Sequence, residues 1–329
     1  MTFYKNINIT RCISDLKNGL PICGIIKHQI SKNSSKKFYF AKTEVQPDIL
    51  TELKDFKIIS TKERKSYGKD DFEIITPCNP LEEEILNLLK FAELTPILIC
   101  VSELPKSLEK MTVFEAKLKD IESFAEEFMH DLHFVAKAPI ALKNGKNSEF
   151  FVFKAPLIGK EHYVIKIGTP EKDDSPLVRI HSSCYTGDLL ASLRCDCRDQ
   201  LQDAIKFISE NKEYNGGYVL YLMQEGRGIG LANKIEAYRL QQEEGLDTVD
   251  SNLAIGFLDD ERNFTPAFKM LQFLKIKSIC LITNNPKKSE DIAKFGIIVK
   301  KIVHTFFKPN TYNADYLDVK KTRMNHSFE

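Results

Sequence analysis

Between Arg179 and Asp199 the chain reads R-I-H-S-S-C-Y-T-G-D-L-L-A-S-L-R-C-D-C-R-D, placing Cys184, Cys195 and Cys197 in one short window with Arg179, His181, Arg194 and Arg198 around them. Three unrelated thiols near a turn would be the plainer reading. The compact C-x10-C-x-C spacing, with arginines and Asp196 interleaved, favours thiolates that share a metal. Soft sulfur ligands suit zinc, and three protein ligands leave a fourth position for water, which is the arrangement of a catalytic rather than a structural zinc. Zinc held this way lowers the pKa of its bound water to about 7 and supplies hydroxide at neutral pH. Such a hydroxide attacks an electrophilic carbon, as in deamination or ring opening. The surrounding arginines point to an anionic substrate.

Three further stretches carry residues that could serve the same chemistry. Q-E-G-R-G-I-G-L (224–231) lies between an apolar run and a helical pattern. It fits neither the dinucleotide fingerprint nor the G-x-x-x-x-G-K-[ST] phosphate loop. It is either a glycine-rich turn with a surface ion pair, or a carboxylate for ring N–H groups (Glu225) beside a guanidinium for phosphate (Arg227). T-N-N-P-K-K-S (283–289) joins a strand pattern to a helix, where free N–H groups with Lys287 and Lys288 would cradle phosphate, unless it is an ordinary helix cap. G-F-L-D-D-E-R-N-F-T (256–265) is an acidic-basic knot that alone would pass for a solvated loop. His130 and His133, three apart, read as packed or solvated histidines, because no H-E-x-x-H partner accompanies them.

The elements that must position these residues alternate in type. A helix is expected at 13–20, stopped by Gly19, then strands at 21–26 and 37–41 and a helix at 48–56. A helix over 81–92, a strand over 96–101 and a long charge-rich helical stretch over 106–134 follow. The turn-rich segment 136–149 reads as a domain boundary. Beyond it come strands at 150–158, 162–167 and 177–181, a helix from about Cys195, a strand at 217–223 and a helix ended by Gly245. A helix at 266–275, a strand at 278–283, a further helix–strand pair and a helical tail at 313–325 complete the pattern. The fold class is therefore α/β with mixed sheet, in two domains: residues 1–134, smaller and without a catalytic cluster, and residues 135–329.

At 329 residues there is ample material for two cores, and 43% hydrophobic with 28% charged residues marks a globular chain. The net charge of +1 provides no global field for nucleic acid. No apolar run approaches the roughly 20 residues that span a bilayer, and M-T-F-Y-K-N-I-N-I-T-R lacks the apolar centre of a signal peptide. Cys12, Cys23, Cys78, Cys100 and Cys280 stand apart from one another, as reduced and partly buried thiols would. A cytoplasmic address, without membrane or nucleic-acid partners, is expected.

Taken in order, Arg179–Cys197, Gln224–Leu231, Asp259–Thr265 and Thr283–Lys288 resemble GTP cyclohydrolase II over roughly residues 135 to 325. The resemblance implies an enzyme with one Zn²⁺ per chain, which opens the imidazole ring of GTP and releases formate and pyrophosphate, with Mg²⁺ on the substrate phosphates. It implies zinc ligands Cys184, Cys195 and Cys197. It implies GTP contacts from Arg179, Ile180, His181, Ser182, Ser183, Gln200, Glu225, Gly226, Arg227, Thr248, Thr283 and Lys288. Asp260 corresponds to the proton acceptor, Arg262 to a nucleophile toward the α-phosphate and Tyr238 to a further site residue; a homodimer is implied as well. A guanidine with a pKa above about 12 is a poor nucleophile, so phosphoryl charge stabilisation is the alternative role for Arg262.

The chain departs from the usual family pattern at Ser183, in place of a glutamate, and at Met223 and Gly228, in place of an arginine and an asparagine. These changes leave two alternatives standing: a silent nucleotide-binding paralogue and a zinc hydrolase of another purine nucleotide. I-S-D-L-K-N-G-L-P-I-C-G-I-I (13–26) weakly resembles the start of a 3,4-dihydroxy-2-butanone 4-phosphate synthase. That family's acidic metal loop is replaced by K-H-Q-I-S-K-N-S-S-K-K, so a degenerate, non-catalytic domain is expected.

Overall fold

The computed structural model describes residues 2–18, 20–27, 35–42, 56–61, 74–104, 106, 110, 112–129, 132–155, 159–171 and 175–305. The chain forms two compact units, Met1–Phe128 with Asp250–Asp259, and Met129–Val249 with Asp260–Glu329. No described helix is long and apolar enough to cross a membrane. All eight cysteines are free thiols.

The first unit contains α1 (Thr2–Lys17), β1 (Ile22–Lys27), β2 (Ser35–Lys42), β3 (Phe56–Ser60), β4 (Ile74–Ile75), α2 (Pro80–Phe91), β5 (Ile97–Val101), β6 (Glu115–Lys117) and α3 (Leu118–Met129). Its sheet runs β4-β3-β5-β2-β1-β6. Helix α2 starts where it does because the Asn79 side chain accepts from the Glu82 backbone N–H at 3.1 Å and Pro80 follows the cap. Leu81, Ile85, Leu86, Leu88 and Leu89 give it a buried face. The distant segment Asp250–Asp259 belongs here because Phe257 is buried under the Lys90 ammonium, 5.9 Å from its ring, and the Thr61 hydroxyl donates to the Gly256 carbonyl at 2.8 Å.

Two expectations fail in this part of the chain. Helix does not fill 106–134: residues 115–117 form β6, parallel to β1, and α3 occupies only Leu118–Met129. Residues 133–139, assigned to the end of that helix and to the following turn, form a strand. A partner strand is available for both segments, and pairing with it outweighs the helical propensity of their lysines and alanines. His133 is exposed on that strand, while His130, the helix expected over 313–325 and the stop at Gly19 lie outside the described residues, as does the helix expected over 48–56 except for Phe56, which opens β3.

The second unit contains β7 (His133–Pro139), β8 (Glu149–Ala155), β9 (Lys160–Gly168), β10 (Leu177–Ser182), α4 (Cys197–Glu210), β11 (Gly216–Leu222), α5 (Leu231–Glu243), α7 (Thr265–Phe273), β12 (Ser278–Ile282), α8 (Pro286–Lys294) and β13 (Ile298–Val303). Between α5 and α7, where the chain passes into the first unit, lies α6 (Thr248–Ala254), a short helix not foreseen in the sequence. The strand order is β13-β12-β10-β11-β9-β8-β7. Strands β13, β12, β10 and β11 are mutually parallel, whereas β9, β8 and β7 continue the sheet antiparallel.

Side chains alternate across this sheet. Val178 and Ile180 join Tyr218, Leu220, Leu281 and the α7 residues Ala267, Met270 and Leu271 in one core layer. Leu177, Val219 and Ile282 join Ile205 and Ile208 of α4 in the other. The period-2 alternation that sends Ile180 into the α7 layer therefore turns Arg179 and His181 toward α4. From β10 the chain crosses to β11 on one side and later reaches β12 on the other, so the carboxyl end of β10 is the point where a crevice opens in an open α/β sheet.

Met270 has no exposed surface and fills the α7 layer. Met270→Ala should lower the unfolding free energy of the chain by about 2–5 kcal/mol, read from urea unfolding followed by far-UV circular dichroism. A loss below about 1 kcal/mol would mean that this layer is not packed as described.

Candidate active site

Cys184 immediately follows β10, Cys195 lies in the connection, and Cys197 is the first residue of α4, where the helix N-terminus favours a thiolate. Their three sulfurs lie within 4.8 Å of one another, and those of Cys184 and Cys195 are 3.6 Å apart. Zn–S bonds of about 2.3 Å at tetrahedral angles require an S···S separation of about 3.8 Å, so the trio fits a zinc ion. The chain leaves room at its centre by placing Gly187 there. A Cβ at that position would fall 2.8 Å from the Cys195 sulfur and 3.0 Å from the Cys184 sulfur.

The thiols of Cys195 and Cys197, with Lys234, hold Cys184 well below the ordinary thiol value. The same contacts, with Cys184 foremost, push Cys195 up to about 11 and Cys197 well above its usual range. One thiolate thus suppresses the next. A coordinated cation reverses that order, because a ligating thiol is deprotonated outright.

The ligand loop is held by residues that sequence reasoning missed. Residues Tyr185–Leu189 form a single π-type turn, which brings Asp188 back beneath Cys184. The Asp188 carboxylate accepts from the Cys184 backbone N–H at 3.0 Å, from the Tyr221 hydroxyl at 2.8 Å and from His181 Nε2 at 3.2 Å. Tyr221 is the register partner of His181 on β11, and their rings stack at 5.5 Å. The signal for Asp188 lay in T-G-D between the first two cysteines; that for Tyr221 required the strand register.

Burial keeps His181 below its usual value despite Asp188, so the ring is neutral, with its proton on Nε2. Its Nδ1 is then a buried acceptor with no partner, as are Arg179 Nε as donor and Gln224 Oε1 as acceptor. Buried polar atoms are rarely left unsatisfied, and these, with the Ser182 hydroxyl at the same end of β10, mark a place for a polar ligand.

The predicted contact residues mostly converge. Arg179 is anchored by donation to the Ile282 carbonyl at 3.1 Å and to Gln200 Oε1 at 2.5 Å, and Gln200 in turn donates to Asp196 at 2.5 Å. Lys288 is buried and donates to the Ile180 carbonyl at 2.8 Å, so Ile180 offers its backbone while its side chain lies in the core. Ser182 shares the Ile180 face with a buried hydroxyl. The Ser183 hydroxyl accepts from the Gln224 backbone N–H at 3.1 Å, and the Gln224 amide donates to the Asn263 carbonyl, joining the loops that follow β10 and precede α7.

Asp260 and Arg262 form a bidentate pair at 2.8 and 2.6 Å. Burial would raise the Asp260 carboxyl, but Arg262 outweighs it and holds it below the ordinary value. The pair therefore stabilises the fold above the unfolded carboxylate pKa of about 3.9, and that contribution is lost as pH falls through the lower folded value. Arg262 and Lys288 each stand 5.7 Å from the Phe264 ring, which brings the Asp260–Arg262 loop and the β12–α8 turn together.

Gly226 and Arg227 both adopt left-handed backbone, with φ of 60° and 61°. Gly228 has φ of 95°, and a Cβ there would lie 2.7 Å from the Glu261 carbonyl oxygen, so this turn packs on the Asp260–Arg262 loop. Glu225 accepts from the Tyr185 N–H at 2.5 Å and from Lys234 at 2.8 Å. Tyr238, one turn beyond Lys234, lies beneath the Arg194 guanidinium at 4.4 Å. Thr283 receives the Asn285 N–H at the cap of α8, and Lys287 is exposed. Thr248 is the first residue of α6.

The fold and site define an α/β protein with a tri-thiol cluster able to hold a metal ion, set among arginines at the carboxyl ends of parallel strands. A sequence profile of the GTP cyclohydrolase II family matches residues 133–304, just over half of the chain, and the chain belongs to that family. It is 44% identical over 198 residues to a GTP cyclohydrolase-2 of Picrophilus torridus, covering 60% of this chain and 100% of that one. It is 44% identical over 191 residues to a GTP cyclohydrolase-2 of Vibrio parahaemolyticus, covering 58% and 94%. With the longer GTP cyclohydrolase-2 of Azospirillum brasilense it shares 42% identity over 212 residues, 64% of this chain but 54% of that protein. The chain spans about half the length of such longer relatives.

Gly187→Ala should weaken zinc binding by at least about tenfold, measured by competition with a chromogenic chelator, because the added methyl occupies the space between the sulfurs. Unchanged affinity would place the ion elsewhere.

Proposed function

We propose that the chain is a zinc-dependent GTP cyclohydrolase II. It would convert GTP to 2,5-diamino-6-(5-phosphoribosylamino)pyrimidin-4-one with release of formate and pyrophosphate, the first step of riboflavin biosynthesis. The observation that carries this reading is the tri-thiol cluster beside buried, partnerless polar atoms of Arg179, His181 and Gln224, within the stretch that matches the family. Zinc bound by Cys184, Cys195 and Cys197 would supply Lewis acidity, which makes water a competent nucleophile at neutral pH.

The remaining work falls to the chain's own side chains. Glu225, fixed by donation from the Tyr185 and Gly226 N–H groups and from Lys234, is a carboxylate for purine N–H groups. Arg179, Arg227 and Lys288 surround the same edge with positive charge for a triphosphate, which would carry Mg²⁺. Ionised Asp260 keeps Arg262 protonated through two hydrogen bonds, which supports charge stabilisation at the α-phosphate over attack by the guanidine. Asp260 then orients Arg262 and stands as the proton acceptor. Tyr238, Gln200 and Thr283 fit positioning roles around this set. We infer a homodimer from the family resemblance, a non-catalytic N-terminal domain from the replaced acidic metal loop, and a cytoplasmic address from the isolated, reduced cysteines.

A binding-only role is the second reading, and one observation favours it. Residue 183 provides a hydroxyl already engaged with the Gln224 backbone, where the family pattern has a carboxylate. The test is formate and pyrophosphate release from GTP by zinc-loaded protein, with Cys195→Ser and Arg262→Ala run beside it. The cyclohydrolase reading expects both products, no turnover from Cys195→Ser, and a loss of about 10²–10³ in kcat for Arg262→Ala. Stoichiometric zinc with neither product from GTP would exclude the reading; products from another purine nucleotide would redirect it.

A further inference from the structure

Lys234 is a buried cation that no motif in the sequence singled out. It sits on the first turns of α5 with its stem against Gly226, whose left-handed backbone lets the two pass; a Cβ on Gly226 would meet the Lys234 Cβ at 3.0 Å. Its ammonium donates to the Cys184 sulfur at 3.1 Å, to the Thr186 hydroxyl at 3.0 Å and to Glu225 Oε1 at 2.8 Å. An ammonium has three N–H donors, and all three are used. No proton remains to offer a substrate, so a catalytic acid role does not fit the geometry.

The three partners belong to two different loops. Cys184 and Thr186 are on the ligand turn after β10, and Glu225 is on the turn after β11. Three thiolates around one divalent ion leave one negative charge, and Glu225 adds a second within reach of the first. Burying such a cluster is unfavourable without a compensating cation. A compact ammonium on a four-carbon stem reaches both loops from below.

We propose that Lys234 is a positioning residue that offsets the charge of the thiolate cluster through Cys184 and locks Glu225 in register with it. The proposal rests on the zinc cyclohydrolase reading for the purpose of Glu225, but its metal half stands on the geometry alone.

The test compares Lys234→Met, which keeps the stem without charge, and Lys234→Arg, which keeps the charge. Zinc affinity from chelator competition should fall about 10–100-fold in the Met variant and recover most of that loss in the Arg variant. In cobalt(II)-substituted protein the thiolate-to-cobalt charge-transfer band should move to lower energy in the Met variant, because a sulfur stripped of its cationic donor gives up an electron more readily. The Arg variant should keep the wild-type band. Lys234→Gln, uncharged but still a donor, replaces the Met variant if that one does not fold. Zinc affinity within twofold of wild type for the uncharged variant, or equal losses for the Arg and uncharged variants, would overturn the proposal. Formate release is not the readout. A wild-type chain that releases none sinks the cyclohydrolase reading, while the zinc and cobalt measurements still decide the role of Lys234.

Discussion

Three thiols whose sulfurs lie within 4.8 Å of one another cannot all ionise in a buried loop unless a cation joins them, and the second unit is arranged around that constraint. Cys184 is delivered by the end of β10, Cys197 by the start of α4, and Gly187 leaves the space between them clear. Asp188 then ties the loop to His181 and Tyr221 on the two neighbouring parallel strands. A shift of either strand by one residue would turn His181 and Tyr221 to the other face of the sheet and break the hub. Strand register and metal geometry are thus one problem with one solution.

The same sheet edge carries an unusual load of buried charge. Arg179 and Lys288 are each held by a backbone carbonyl, of Ile282 and Ile180 respectively, and Lys234 by two loops. The positive charge gathered at this edge favours an anionic ligand over a neutral one. Carboxylates engage two cations of the site: Glu225 takes Lys234, and Asp260 takes Arg262, fixing the plane of that guanidinium.

Much of this was legible in the sequence because the chemistry depends on residues near each other in the chain. The cysteine spacing, the E-G-R-G turn and the D-D-E-R knot could all be read locally, and so could the alternation of strands and helices that puts them at one sheet edge. Lys234, Tyr221 and Asp188 were not legible, since their roles come from partners on other elements: register for Tyr221, a one-turn return of the chain for Asp188, and two separate loops for Lys234. The strands at the two ends of the helix expected over 106–134 have the same origin. Composition favoured helix there, but β1 and β8 offered strands to pair with, and tertiary pairing decides such contests. The inclusion of Asp250–Asp259 in the first unit was equally hidden, because it hangs on Phe257 finding a pocket far away in sequence.

The most direct measurement of the central claim is zinc K-edge X-ray absorption on the zinc-loaded chain. Three sulfur scatterers at about 2.3 Å with one lighter atom at about 2.0 Å would establish a tri-thiolate zinc with an exchangeable fourth position. Four sulfur ligands, or zinc bound only through nitrogen and oxygen, would contradict the account.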